Sequence, residues 1–261
     1  MDICGGVRLR ILAFSDVAGW WSGYETLVDS LQPDVICLAG DLVSDGFAEL
    51  LWGRGRRADH VEGFYKFLQR SGSISRVLVV KGNHDEDFKG DYSPKRINEI
   101  PGCFEISGRT IEVDDMLFLG LGFREARRLR SGYSRPSRYL QSLIEKFRGK
   151  VDVVLMHDKN IRYASLLKPK LIIKGGLCLG ACLVNDVPSV FTGPDSSVLI
   201  EFRNKIISEI SGYLLNPTRW HMEIMGSRES LKLEPIEIRR VPSLNIPANY
   251  GKFEWVKPLT L

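Results

Sequence analysis

The chain has 261 residues, 44% of them apolar and 26% charged, with a formal net charge of +4. Those values exclude disordered, collagen-like and simple coiled-coil chains, and leave room for one large core. The mild basicity is compatible with anionic partners without requiring a nucleic-acid binder. Five cysteines (Cys4, Cys37, Cys103, Cys178, Cys182) are scattered, and Cys37 sits inside an apolar run as a small buried hydrophobe would. The acidic, glycine-broken start has no leader pattern, and no apolar run approaches the ~18 residues of a membrane span. The expectation is a cytoplasmic protein without membrane partners.

In chain order, short β-branched runs at 9–14, 35–38, 76–80, 110–113, 117–121, 151–156 and 171–173 predict strands. Amphipathic stretches at 24–31, 59–69, 138–147 and 160–167 predict helices between them. That alternation predicts an α/β layered fold. Closely spaced runs at 181–184, 189–191 and 197–202 then fit antiparallel hairpins. From residue 204 onward the pattern is one short amphipathic run at 205–214 and extended, proline-punctuated sequence. The expected division is a domain over 1–203 and an extension over 204–261, packed on or wrapped around the core.

Polar residues stand at the ends of four apolar strands. Asp16 follows the first, Gly40-Asp41 the second, Gly82-Asn83-His84-Asp85 the third, and His157-Asp158 the run at 151–156. Sites in α/β sheets form at the carboxyl ends of strands. Oxygen ligands with one or two imidazoles suit Mn²⁺, Mg²⁺ or Fe better than a thiolate-seeking ion. Taken singly, an Asp after a strand is most often a turn or cap residue. An ordered set at four strand ends is much harder to obtain by accident.

The set resembles the calcineurin-like metallophosphoesterases, whose pattern is Asp-x-His, Gly-Asp, Gly-Asn-His-Asp/Glu, a lone His and Gly-His-x-His. It stands here as Asp16-Val17-Ala18, Gly40-Asp41, Gly82-Asn83-His84-Asp85, His157 and Gly175-Gly176-Leu177-Cys178, with Phe191 to Ser196 similar to the element that follows. The resemblance implies two packed mixed β-sheets flanked by helices, a four-layer sandwich. It also implies two metal ions, and a hydroxide between them that attacks phosphorus in line. Asp41 would bridge the metals, Asp16 would ligate the first, and Asn83 and His157 the second. His84 would be the catalytic histidine.

Three implied histidine ligands are absent, replaced by Ala18, Gly176 and Cys178. The first site keeps Asp16 and Asp41, with Cys178 as a further ligand only if its thiolate is recruited; the second keeps Asp41, Asn83 and His157. One Mn²⁺ or Mg²⁺, ahead of Fe or Zn, is therefore expected rather than two. His60, His221, Asp45, Asp158 and Asp186 are weaker substitutes. Trp20-Trp21 could line the space beside Ala18 or pack in the core. The stretch 123–138 carries Arg124, Arg127, Arg128, Arg130, Arg135 and Arg138 around Tyr133. It reads either as a solvated loop or as an anion-binding edge, with Arg127, Arg128 and Arg130 touching substrate. The expected function is hydrolysis of a phosphomonoester or phosphodiester, the partner being a phosphorylated small molecule or nucleotide. The alternative is a non-catalytic module that binds phosphate, nucleotide or nucleic acid.

Overall fold

In the first sheet, three parallel strands, β1 (Arg8–Phe14), β2 (Val35–Ala39) and β3 (Arg76–Val80), carry side chains that are apolar on both faces. Such runs are stable only when both faces are covered. The computed structural model describes residues 8–17, 21–43, 57–85, 92–131, 135–157, 160–176, 179–193 and 196–214. Within them the first sheet runs, from edge to edge, β14 (Ile206–Leu214), β13 (Ser196–Arg203), β1, β2, β3 and β4 (Cys103–Glu105). The second runs β11 (Gly180–Val184), β12 (Val187–Thr192), β10 (Leu171–Gly175), β9 (Val153–His157), β6 (Met116–Leu121) and β5 (Thr110–Val113). Both are mixed.

Alternate residues of each strand serve two different cores. Ile11, Ala13, Cys37, Leu78 and Val80 face inward and meet Phe118, Val153, Leu155, Ile173 and Val190 of the second sheet. Leu12, Phe14, Ile36, Leu38, Val77 and Val79 face outward beneath α1 (Trp21–Leu31) and α2 (Arg57–Gly72). Those helices supply Tyr24, Leu27 and Val28, and Phe64, Phe67 and Leu68, at the three- and four-residue spacing of one helical face. Trp21 packs here against Phe64 and Phe67, so it is a core residue; Trp20 lies outside the described residues. The outer face of the second sheet is covered by a third cluster, with Leu140 and Leu143 from a helix at Arg138–Phe147, whose start Ser137 caps by accepting the Leu140 N–H at 3.0 Å.

The expected strands and helices are present with small shifts. β9 begins at Val153 and ends on His157 rather than covering 151–156, and β10 extends to Gly175. The helical stretch at 160–167 divides into a turn of α-helix, Ile161–Ala164, and a 3₁₀ turn, Ser165–Leu167. The run at 205–214 is the strand β14, paired antiparallel with β13. The first sheet thus continues beyond residue 203, and residues 215–261 lie outside the described residues. Short elements not anticipated are a helix at Pro94–Asn98, β4, a helix at Phe123–Arg128, and the ribbon of β7 (Arg130–Ser131) with β8 (Arg135–Pro136). Among the described residues no helix is long and apolar enough to cross a membrane.

Phe118 of β6 is fully buried between the sheets. Phe118→Ala should destabilise the fold by about 3–5 kcal/mol, since the cavity lies where neither sheet can collapse. An unfolding free energy from urea titration lowered by less than a quarter of that would show that the sheets can close the gap.

Candidate metal and phosphate site

The inward register of the second sheet places the first ligand. Val153 and Leu155 face the inter-sheet core, so His157, two residues on, also points between the sheets, at their upper edge. Its Nδ1–H donates to the Ala39 carbonyl of the first sheet at 2.7 Å, which turns Nε2 toward Asp41 and Asn83. Gly175, paired with His157 in register, makes this crossing feasible. A Cβ at Gly175 would lie 1.9 Å from the Ala39 oxygen and 2.8 Å from the His157 ring.

Asp16 and Asp41 end neighbouring parallel strands with the same left-handed backbone, φ 54° at each. This conformation costs a non-glycine residue about 1 kcal/mol, is best tolerated by Asp and Asn, and here aims both carboxylates at one edge. The Asp16 N–H donates to the Gly40 carbonyl at 3.0 Å, which ties the two strand ends together. Asp41 Oδ1 accepts the His84 N–H at 2.9 Å. Gly82 passes so close beneath Asp41 that a Cβ there would stand 2.0 Å from Oδ1.

Asp85, the last residue of the Gly-Asn-His-Asp run, holds the two loops in place. It is completely buried and accepts three backbone N–H groups, from Leu42 and Val43 at 2.8 and 3.0 Å and from Gly82 at 2.8 Å. The sequence names Asp85 without suggesting this role; the signal is a carboxylate that ends a polar motif between two apolar strands.

Three electron-pair donors converge at one point. His157 Nε2 lies 3.1 Å from Asn83 Oδ1 and 3.2 Å from Asp41 Oδ2. With Nδ1–H committed to Ala39, a neutral ring would direct a lone pair at two oxygens. The point therefore needs a positive charge, either a proton on Nε2 or a cation held by all three atoms. The set fits the second choice in donor type: one carboxylate, one amide oxygen and one imidazole. No group of three or more His, Cys, Asp or Glu side chains that could hold an ion occurs among the described residues, and Asn83 is the third donor here.

Asp16 is engaged differently. Its Oδ2 accepts the Gly176 N–H at 3.0 Å and lies in bonding contact with the Ser15 hydroxyl, which also reaches the Thr192 carbonyl at 2.9 Å. Protein donors thus satisfy one oxygen of this carboxylate. Of the other expected residues, Ala18, Cys178, His221, Asp45 and Asp158 lie outside the described residues. His60 is buried in α2, and Asp186 sits in the hairpin turn between β11 and β12 rather than at the site.

The stretch 123–138 is mostly not a loop. Its helix opens with the Phe123 N–H donating to the Lys81 carbonyl at 2.8 Å, one residue before Gly82. Arg127 lies over the Phe123 ring at 5.2 Å and Arg128 over Tyr139 at 4.5 Å, while Arg130 is exposed in β7. The arginine edge therefore abuts the strand end that carries Asn83 and His84.

A sequence profile of calcineurin-like phosphoesterases matches residues 9–193. The chain belongs to the calcineurin-like phosphoesterase family. Solved structures with the same fold include TT1561 of Thermus thermophilus, at 15% identity and a TM-score of 0.57, covering 77% of this chain and 97% of that one. A dimetal phosphatase from Danio rerio is similar at 11% identity and a TM-score of 0.50, covering 78% and 95%. No curated protein matches the chain.

The charges at the family site are strongly interdependent. Desolvation pushes the Asp16 carboxyl up to about 7; the His157 charge pulls against that, and Asp41 adds to it. Burial likewise pushes Asp85 up to about 6, with Asp41 reinforcing and its three N–H partners opposing. For His157 burial favours the neutral ring, yet the bond to Asp41, its charge and that of Asp16 together raise it to about 9. Burial also works against the Asp41 charge, but the bond and charge of His157, with the His84 amide, hold its pKa below the usual value.

Asp16, Asp85 and His157 bind protons more tightly in the folded chain than in the unfolded one. Their stabilisation is fully present at low pH and is lost as pH rises, from the ordinary 3.8 to about 6 and 7 for the acids and from 6.5 to about 9 for His157. Asp41 acts in the opposite sense, its contribution being lost as pH falls below 3.8. The metal-free protein should therefore melt at progressively lower temperature from pH 5 to pH 9, and saturating Mn²⁺ should flatten that slope, because cation affinity grows as ligands lose protons. A metal-free melting temperature that rises over this range would contradict the assignment.

Proposed function

We propose that the chain is a metal-dependent phosphoesterase that hydrolyses a phosphomonoester or phosphodiester with one firmly held Mn²⁺ or Mg²⁺ at Asp41, Asn83 and His157. The observation that supports this is the placing of Asn83 Oδ1 and Asp41 Oδ2 at 3.1 and 3.2 Å from His157 Nε2, with His84 retained next to Asn83 in the chain. A cation held there would act as a Lewis acid on a phosphoryl oxygen and make water a stronger acid. The chain's own residues do the rest. Ala39 fixes the tautomer of His157, and Asp41 supplies the balancing charge. His84, whose backbone is pinned to Asp41, donates a proton to the leaving oxygen or a hydrogen bond to the phosphoryl group. The buried thiols of Cys37 and Cys103 suit a reducing compartment, which supports a cytoplasmic location.

The second reading, an anion-binding module without catalysis, is favoured by Asp16. One of its oxygens is already satisfied by Gly176 and Ser15, as a carboxylate serving no ion would be. The two readings separate on metal binding. His157→Ala should weaken Mn²⁺ binding by roughly a hundredfold and abolish hydrolysis of an aryl phosphate ester, whereas Asp16→Ala should weaken it less than about tenfold. Calorimetry with equal Mn²⁺ affinity in wild type and His157→Ala would leave the non-catalytic reading.

For the substrate, the arginine edge supports a nucleotide or nucleic acid. The exposed guanidinium groups of Arg127 and Arg128 lie over Phe123 and Tyr139, and exposed Arg130 extends the edge, a set of charges suited to phosphate. Replacing Arg127, Arg128 and Arg130 together with alanine should weaken oligonucleotide binding and flatten its salt dependence by up to about three counter-ions. An unchanged salt slope would assign these arginines to the solvated surface.

A further inference from the structure

At Gly176 the family pattern has a ligand histidine, and the place its side chain would enter is taken. Gly176 has φ 150°, and a Cβ built there would lie 2.7 Å from the Lys174 ammonium nitrogen. Lys174 belongs to β10, one residue before Gly175, on the face opposite the inter-sheet core. Its Nζ lies 5.7 Å from the Phe191 ring centroid and donates to the Gly175 carbonyl at 2.9 Å. An ammonium has three N–H donors, and among the described residues this is its one hydrogen bond. The same Gly176 offers its own N–H to Asp16 Oδ2.

Loss of the imidazole and placement of a half-buried cation are thus one local arrangement. A histidine at 176 would have to displace the ammonium, and the ammonium can stand where it does because position 176 has no side chain. We propose that Lys174 is a phosphate-binding residue of this site, giving the phosphoryl oxygens of the substrate a fixed positive charge in place of one that the depleted ligand set no longer gathers. Its remaining two N–H donors supply the charge-assisted hydrogen bonds that hold a phosphoryl oxygen against the strand end. The inference rests on reading the pocket as a phosphoester site, but it does not need the Asp41–Asn83–His157 set to bind a cation.

The test uses the full chain, stripped of metal, with inorganic phosphate as the probe and ³¹P line broadening and calorimetry as readouts. Lys174→Met keeps an unbranched side chain and removes the charge; Lys174→Gln provides a second variant if the first fails to fold. The expected result is phosphate affinity at least about tenfold weaker in either, near wild-type affinity in Lys174→Arg, and Mn²⁺ affinity in the neutral variants no weaker than in wild type. Phosphate binding unchanged in Lys174→Met or Lys174→Gln overturns the proposal, as does a wild-type chain that binds no phosphate at millimolar concentration. Failure of the hydrolytic reading has a different signature: wild type and His157→Ala alike in Mn²⁺ affinity, with the Lys174 effect on phosphate still present.

Discussion

The functional edge is organised by the His157 ring, which reaches from the second sheet to stand between the Ala39 carbonyl and the Asp41 carboxylate of the first. The surrounding structure serves that crossing. Gly175 has no side chain because the Ala39 oxygen and the imidazole fill its space. Asp41 takes a left-handed backbone to turn its carboxylate inward, and Gly82 lets the third strand's loop pass directly beneath it. Asp85 then clamps both loops through three backbone hydrogen bonds. Local strain at Asp16 and Asp41 is sustained because the packed strands leave those residues no other course.

The two halves of the family site have diverged unequally. Around His157 the electron-pair donors of Asn83 and Asp41 still face the ring nitrogen at 3.1 and 3.2 Å, an arrangement that calls for positive charge. Around Asp16 the chain supplies its own hydrogen-bond donors, the Gly176 amide and the Ser15 hydroxyl. Burial of the Asp16 carboxylate raises its proton affinity, and the nearby Asp41 charge adds to the effect.

Much of this was legible in the sequence, for a physical reason. Buried parallel strands read as unbroken apolar runs, so polar residues at 16, 41, 83–85 and 157 stand out as strand ends, and the order of the motifs carries the fold. The helix at Pro94–Asn98, β4 and the β7–β8 ribbon are short and lack the unbroken apolar run that marks the buried strands, so the sequence does not announce them. The helix over the first arginines was concealed by its charge, since Ala126 is its only fully buried position. Lys174 and Ser15 had no visible role, because what they do depends on which neighbours the sheet brings to them. A lysine interrupting an apolar run two residues before a missing ligand was the available signal.

We propose that a metal ion supplies the positive charge required at His157, Asn83 and Asp41 in the working protein. Anomalous scattering from crystals grown with Mn²⁺ tests it directly. The account predicts a single strong peak within coordination distance of His157 Nε2, Asn83 Oδ1 and Asp41 Oδ2, with at most a weak feature beside Asp16. A peak at Asp16 with none near Asn83 and His157, or no peak at saturating Mn²⁺, would contradict it.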